Sequence, residues 1–266
     1  MVFRNVIVCH LVPGSEDKVG PVFDHYDRAT RPQDLGVIGR ILLSHEDLYI
    51  HVIERVQDPA ISGQTRGLPA FQKIAEEIGP YVTPYPRYWT NPSHSVAKEF
   101  YRWEPPAAAS GADAPETPDP VASVDPPGTS PTPDPPPASD PPPASDEAAA
   151  PEAAAGERTL TVLVQRLKPG AEPDVARIFA ESDAGDLPLR LGVTGRWLYS
   201  IDDVFVHLLE QDAEIARNRS HEHDRPLFGK IMQELSPYVE PYRPETWRGH
   251  RDAEATPFYR WQAPPD

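Results

Sequence analysis

The sequence predicts an α+β protein built from two copies of one βαββαβ module. Three observations predict it: an internal repeat, short β-rich runs alternating with amphipathic helical segments, and an acidic proline-rich stretch between the copies. The repeat is sharpest where Gly36 to Glu54 (GVIGRILLSHEDLYIHVIE) matches Gly192 to Glu210 (GVTGRWLYSIDDVFVHLLE) at an offset of 156 residues. Both copies fit G-V-x-G-R-x-L-x-S-x-x-D-x-x-x-H-x-x-E. Core packing alone explains repeated apolar residues, but polar residues repeated inside apolar strands need a further reason.

In the first copy, Asn5 to Val12 is a β-rich apolar run closed by Pro13-Gly14, and Glu16 to Ala29 has helical periodicity. Val37 to Leu43 and Leu48 to Ile53 read as strands around a tight turn, Ser44 to Asp47. Pro69 to Ile78 is a second helix ended by Gly79-Pro80, and Glu99 to Trp103 is the last strand. The second copy repeats this with Leu160 to Leu167, Pro173 to Ser182, Val193 to Tyr199, Val204 to Leu209, Pro226 to Leu235 and Pro257 to Trp261. Strands and helices in this order give a ferredoxin-like layer of helices on one face of an antiparallel sheet.

The expected boundaries are residues 1–104, a linker at 105–157, and residues 158–266. The linker holds D-P-P-P-A-S-D-P-P-P-A-S-D, Asp134 to Asp146, and too few apolar side chains to offset ordering entropy. The net charge of −16 is concentrated there: eleven of the 41 acidic residues and none of the 25 Lys and Arg lie from Glu104 to Glu157. Neither module carries the basic footprint of a nucleic-acid binder. A single cysteine, Cys9, excludes an intrachain disulfide framework. With no secretory signal pattern and no apolar stretch of membrane-spanning length, a cytoplasmic protein without a membrane partner is expected.

The central hairpin sets an expected register. If Ser44 pairs with Asp47, then Arg40 lies opposite His51, Leu42 opposite Tyr49 and Ile38 opposite Ile53, all on one face. The second copy likewise puts Arg196 opposite His207. The other face, with Ile41, Leu43, Leu48, Ile50 and Val52, is also apolar, so the sheet needs two covers. Helices supply one. A second sheet, from the sister module or another chain, supplies the other, giving an intrachain pseudo-dimer of the dimeric α/β-barrel type, alone or as a dimer of such pairs.

Among other repeated polar residues, Asp27 and Asp183 each follow a Phe by four positions near a helix end, where an acid opposes the macrodipole. Glu54 and Glu210 read as solvated strand ends, and Tyr81-Val82-x-Pro84-Tyr85 with its counterpart Tyr238 to Tyr242 as covers of a pocket mouth or of the last strand. Trp103 and Trp261 read as core. His221 and His223 form an H-x-H without a counterpart. Arg cannot coordinate and the strand His would be a lone ligand, so no metal is expected.

The residues F-A-E-S-D at Phe179 to Asp183, L-G-V-T-G-R at Leu191 to Arg196, D-V-F-V-H-L-L-E at Asp203 to Glu210, P-Y-V-E-P-Y at Pro237 to Tyr242, T-W-R-G at Thr246 to Gly249 and F-Y-R-W at Phe258 to Trp261 carry a resemblance. Each module resembles the aromatic polyketide cyclases of the tetracenomycin aromatic-ring type, nearly end to end. The resemblance implies closure of an aromatic ring in a poly-β-ketone by aldol condensation and dehydration, in a bacterial antibiotic-type pathway and without a cofactor. It implies an aromatic polyketide intermediate and polyketide synthase components as partners. The pocket residues it implies are Asp27, Arg40 and His51 in one module and Asp183, Arg196 and His207 in the other. Some members carry a His just before the helix-end Asp; here that position is Tyr26 or Ser182, with His25 one residue earlier. His25, Tyr26 and Ser182, together with Tyr49 and Phe205, are the expected substrate-contacting residues.

The chemistry suits these side chains. Histidine can take and return a proton near neutrality, and arginine donates fixed hydrogen bonds to enolate or alkoxide oxygens. Two other readings fit the same pattern. A cofactor-free oxygenase of this topology would add oxygen to its product, and a non-catalytic polyketide-binding module would hold a product without accelerating its formation.

Overall fold

The computed structural model describes residues 2–56, 69–86, 88–105, 158–217 and 225–264. The linker after Pro105 and the His221/His223 pair lie outside the described residues. The first module runs β1 (Phe3–Leu11), α1 (Glu16–Ala29), β2 (Val37–His45), β3 (Leu48–Arg55), α2 (Pro69–Ile78), β4 (Val82–Pro84) and β5 (Lys98–Trp103). The second runs β6 (Arg158–Leu167), α3 (Glu172–Asp183), α4 (Leu187–Arg190), β7 (Val193–Ile201), β8 (Val204–Asp212), α5 (Ala213–Arg217), α6 (Arg225–Leu235), β9 (Val239–Pro241) and β10 (Thr256–Gln262).

Strand order corrects one expectation. The two five-stranded sheets are ordered β10-β2-β3-β1-β4 and β5-β7-β8-β6-β9. The short β4 and β9, inside the repeated Y-V-x-P-Y segments, close each βαββαβ unit against β1 and β6. The aromatic strand F-Y-R-W then crosses to the sister sheet, so β10 pairs with β2 and β5 with β7. A β2 edge left bare would present unpaired backbone donors and acceptors, and the exchanged strand satisfies them.

The hairpin register also differs from expectation. His45 pairs with Leu48 and Ile201 with Val204, so the turns are Glu46-Asp47 and Asp202-Asp203, with Glu46 and Asp202 at positive φ. Arg40 therefore faces Ile53 and His51 faces Leu42, while Arg196 faces Leu209 and His207 faces Leu198. A shift of two residues preserves the face, because side chains alternate with period two. Arg and His are diagonal neighbours rather than directly opposed. The repeated glycines have separate reasons. Gly36 and Gly192 take left-handed φ of 72° and 67°, and a Cβ on Gly195 would lie 2.1 Å from the Trp197 ring.

Both faces of each sheet are buried. One face of β2 and β3 packs Leu42 and Tyr49 against Val19 and Phe23 of α1. The other puts Ile41, Leu43, Leu48, Ile50 and Val52 into one core with Val162, Val164, Trp197, Tyr199, Val206 and Leu208 of the second module. The sister sheet is thus the second cover.

Polar contacts lock the two sheets reciprocally. Tyr85 Oη donates to Asp203 at 2.5 Å and Tyr242 Oη to Asp47 at 3.1 Å, each reaching the other module's hairpin turn. Glu54 and Glu210, read from sequence as solvated strand ends, instead meet at one buried cation. Arg4 Nε donates to Glu54 at 2.9 Å and Arg4 Nη2 to Glu210 at 2.5 Å, while its guanidinium lies 3.8 Å from the centre of the Trp197 ring. Four residues of one Asp-and-Tyr set and both glutamates therefore serve the interface.

Two outcomes follow from this architecture. Cutting the chain at a protease site engineered into residues 106–155 should leave both halves associated on size exclusion, whereas each half expressed alone should aggregate or self-pair. A stable, separate monomer of either half contradicts strand exchange. Replacing Arg4 by Leu, the residue at the equivalent position 160, should destabilise the protein by about 3 kcal/mol in urea unfolding. That is the low end for a broken buried pair, because both glutamates keep some solvent contact.

Candidate active site

Each module places a carboxylate, a guanidinium and an imidazole between its sheet and its first long helix. Asp183 ends α3, four residues after Phe179, so both face the sheet. Arg196 on β7 and His207 on β8 point to the same face. Arg196 Nε lies 3.0 Å from Asp183 Oδ2, and Arg196 Nη1 lies 2.9 Å from His207 Nε2. Its guanidinium sits 4.6 Å from the Phe179 ring centre, and that ring meets His207 edge-on. In the first module Arg40 Nε lies 3.2 Å from Asp27 Oδ2, and Phe23 takes the place of Phe179.

The exchanged strands complete both clusters. Tyr101 of β5 donates to Asp183 Oδ2 at 2.9 Å, and Tyr259 of β10 donates to Asp27 Oδ2 at 2.8 Å. Neither tyrosine was a sequence candidate. The signal was there: Tyr101 and Tyr259 are themselves repeated within F-Y-R-W, but a repeat cannot reveal that a strand crosses to the other sheet.

Burial dominates the electrostatics. It pushes His207 well below the ordinary imidazole range, and the Arg196 cation adds to the shift. His51 is pushed down likewise by burial, then by Arg40 and Arg55. Both rings are neutral at pH 7. Arginine can only donate, so His207 Nε2 accepts from Arg196 and the ring proton resides on Nδ1. Asp27 and Asp183 are raised by burial, with Arg and Tyr contacts offsetting part of the rise. Asp183 Oδ1 is buried with no hydrogen-bond partner among the described residues. Both Arg Nε–Asp contacts are ion pairs whose angles fall outside hydrogen-bond geometry.

The two clusters differ. His51 Nε2 has no hydrogen-bond partner among the described residues, whereas His207 Nε2 is held by Arg196. Tyr49 is buried beside His51 with its hydroxyl also unpartnered, where the second module has Phe205 beside His207. Of the remaining candidates, His25 is exposed on α1 and Tyr26 donates to Glu77 at 2.6 Å, away from Arg40. Ser182 is half-buried next to Asp183, and its hydroxyl has no hydrogen-bond partner among the described residues. Cys9 is half-buried, and its thiol is raised by burial. No group of three His, Cys, Asp or Glu among the described residues could hold a metal, and no described helix is long and apolar enough to cross a membrane.

Two ferredoxin-like units, joined through their sheets with composite Asp–Arg–His–Tyr clusters, define a dimeric α/β-barrel architecture within one chain. The chain belongs to the polyketide synthesis cyclase family, which it matches over residues 3–104 and again over 159–262. It is 45% identical over 106 residues to the uncharacterized protein SCO5314 of Streptomyces coelicolor, covering 40% of this chain and 96% of that one. It is 35% identical over 103 residues to tetracenomycin F2 cyclase of Streptomyces glaucescens, covering 39% and 94%. The solved structure of FN1347 from Fusobacterium nucleatum aligns over 98% of this chain and 94% of its own, with a TM-score of 0.50 at 11% identity, a likeness of fold alone.

The depressed imidazoles set a pH dependence. An unfolded His binds a proton below about pH 6.5, but buried His51 and His207 do not until their lower folded values are reached. Their stability contribution is complete above about pH 6.5 and is lost as pH falls, by up to about 1.4 kcal/mol per unit per ring. The raised carboxylates act oppositely, since their contribution is present at low pH and lost as pH rises. Thermal unfolding should therefore show a falling Tm from pH 7 to 5.5. The slope should flatten in the His51→Gln, His207→Gln double variant; buried His45, shifted the same way, leaves part of it. An unchanged slope contradicts neutral burial of both rings.

Proposed function

We propose that this chain closes an aromatic ring in a poly-β-ketone by intramolecular aldol condensation followed by loss of water. The observation carrying the reading is the buried Asp183–Arg196–His207 cluster, with one uncommitted acceptor, Asp183 Oδ1, beside a fixed cation. A methylene between two carbonyls loses a proton to a carboxylate whose affinity for protons is raised by burial. The resulting enolate carbon attacks a ketone carbon of the same chain, forming the ring bond and an alkoxide. Arg196 stabilises the enolate and alkoxide oxygens through its guanidinium N–H donors. The protonated carboxyl returns its proton to the alkoxide. Loss of a second α-proton with departure of hydroxide then releases one water and leaves a carbon–carbon double bond.

In this scheme His207 is a positioning residue, because its Nε2 lone pair is occupied by Arg196. That differs from the acid–base role expected from its residue type. In the first module His51 Nε2 has no partner among the described residues, and it joins Asp27 as a group able to exchange protons there. Phe179, Phe205 and Tyr101 supply apolar walls that fold the substrate, and orientation contributes beside proton transfer. The relationship to tetracenomycin F2 cyclase supports a polyketide as the substrate class.

The test is reconstitution with a minimal polyketide synthase and mass spectrometry of the products with and without this protein. A new product lighter by one water supports the reading; a product heavier by oxygen replaces it with an oxygenase. Arg196→Ala should slow ring closure by about a hundred- to a thousandfold. His207→Gln should cost less, because a glutamine carbonyl can still accept from Arg196. Product formation unaffected by Arg196→Ala combined with Arg40→Ala removes both clusters from the chemistry.

A further inference from the structure

The two clusters differ in charge as well as in hydrogen bonding. β3 carries His51, Ile53 and Arg55 on one face, so Arg55 shares the face of Arg40 and His51. Its equivalent at the same offset is Gln211, and the two occupy matched places. Arg55 Nη1 donates to the Leu35 carbonyl at 3.3 Å, and Gln211 Nε2 donates to the Leu191 carbonyl at 3.1 Å. Among the described residues Arg55 has no carboxylate partner, and its buried Nε has no acceptor. Neighbouring Glu54 is on the opposite face and is bound to Arg4. The first cluster thus sets two guanidiniums against one carboxylate, Asp27, beside a neutral His51. The second sets Arg196 against Asp183, beside a neutral His207.

Three further groups in the first cluster await an acceptor or donor. Arg40 Nε, like Arg196 Nε, makes only an off-angle ion pair, while among the described residues Tyr49 Oη and His51 Nε2 are buried and unpartnered. Leaving such groups unsatisfied is unfavourable, and an oxygen-rich ligand resolves it. A surplus cation beside them specifies the sign of that ligand's charge. The second cluster, with Phe205 for Tyr49 and Gln211 for Arg55, offers neither the extra hydroxyl nor the extra cation.

We propose that the first module's cluster selects a ligand bearing an anionic oxygen, a carboxylate or an ionised enol or phenol. Arg55 is its specificity-determining residue, and the second cluster takes the neutral form. The inference rests on the polyketide reading for the carbon skeleton. The two modules then act on different ionisation states of related molecules. A chain still held as a thioester has no free carboxylate, so a carboxylate preference would make a released acid the first module's substrate.

Titration calorimetry on the full chain tests this with hydroxynaphthoate, neutral hydroxynaphthamide and naphthol, whose fluorescence reports its ionisation. Hydroxynaphthoate or ionised naphthol should bind at one site per chain, at least about tenfold more tightly than the amide. Which of the two is preferred identifies the source of the charge. Arg55→Gln should reduce affinity for the anion about tenfold and leave the amide within about twofold, while Arg55→Lys should retain the preference. Gln211→Arg should create a second anion site, and that gain decides the matter if Arg55→Gln fails to fold. Equal affinity for anion and amide, no anion binding at millimolar concentration, or an unaltered preference in Arg55→Gln overturns the proposal. Because these readouts are binding and charge selectivity, they stay interpretable if reconstitution yields no cyclised product. That result would count against the cyclase reading alone.

Discussion

A sheet that is apolar on both faces governs this molecule. Helices α1 and α2 can cover only one side of β1, β2 and β3, and a bare Ile41, Leu43, Ile50 and Val52 surface would be strongly unfavourable in water. The second module's sheet removes that surface. Once the sheets face each other, β5 and β10 reach the sister edges and pair there, which satisfies backbone groups that burial would otherwise strand. The clusters inherit this arrangement. Asp27 is held by Tyr259 and Asp183 by Tyr101, so neither site is complete within its own module.

Joining the modules in one chain also frees them from symmetry. In a two-fold homodimer every change appears twice, and a residue on the axis meets its own copy. Here Arg4 sits where the second module has Leu160, and this single cation serves Glu54 and Glu210 together. Two arginines at that place would repel; one is attracted to both carboxylates. The same freedom separates Tyr49 from Phe205 and Arg55 from Gln211 around the clusters. Around the clusters these two differences alter charge and hydrogen bonding, while the Asp, Arg, His and Tyr that define each cluster are kept.

Inside the clusters the low-dielectric setting decides roles more than residue type does. A histidine in water is a near-neutral acid–base group, but His207 is desolvated and its acceptor nitrogen is taken by a cation. A carboxylate in water is a weak base, yet burial makes Asp183 a stronger one. Burial thus lowers the imidazole's affinity for a proton and raises the carboxyl group's in the second module.

Much of this was legible in the chain. The helix spans Glu16–Ala29 and Pro69–Ile78 follow from periodicity and from Gly and Pro punctuation, and the face shared by Arg40 and His51 survives a two-residue register shift because side chains alternate. The need for a second cover was also readable, since five apolar residues on the second face cannot be explained by one layer of helices. Repetition marked Arg, Asp, His and Glu as important but could not separate site from interface. Asp47, Asp203 and Glu210 bind side chains of the other module, Glu54 holds the Arg4 that reaches Glu210, and Arg40 and His51 line a cluster. The turn register depended on Glu46 and Asp202 adopting positive φ, which no side-chain pattern announces for a glutamate. Strand exchange and the tyrosines it delivers arise from contacts between residues more than 80 positions apart. Periodicity is local and fixes which face a residue occupies; only the packed sheets decide what that face meets.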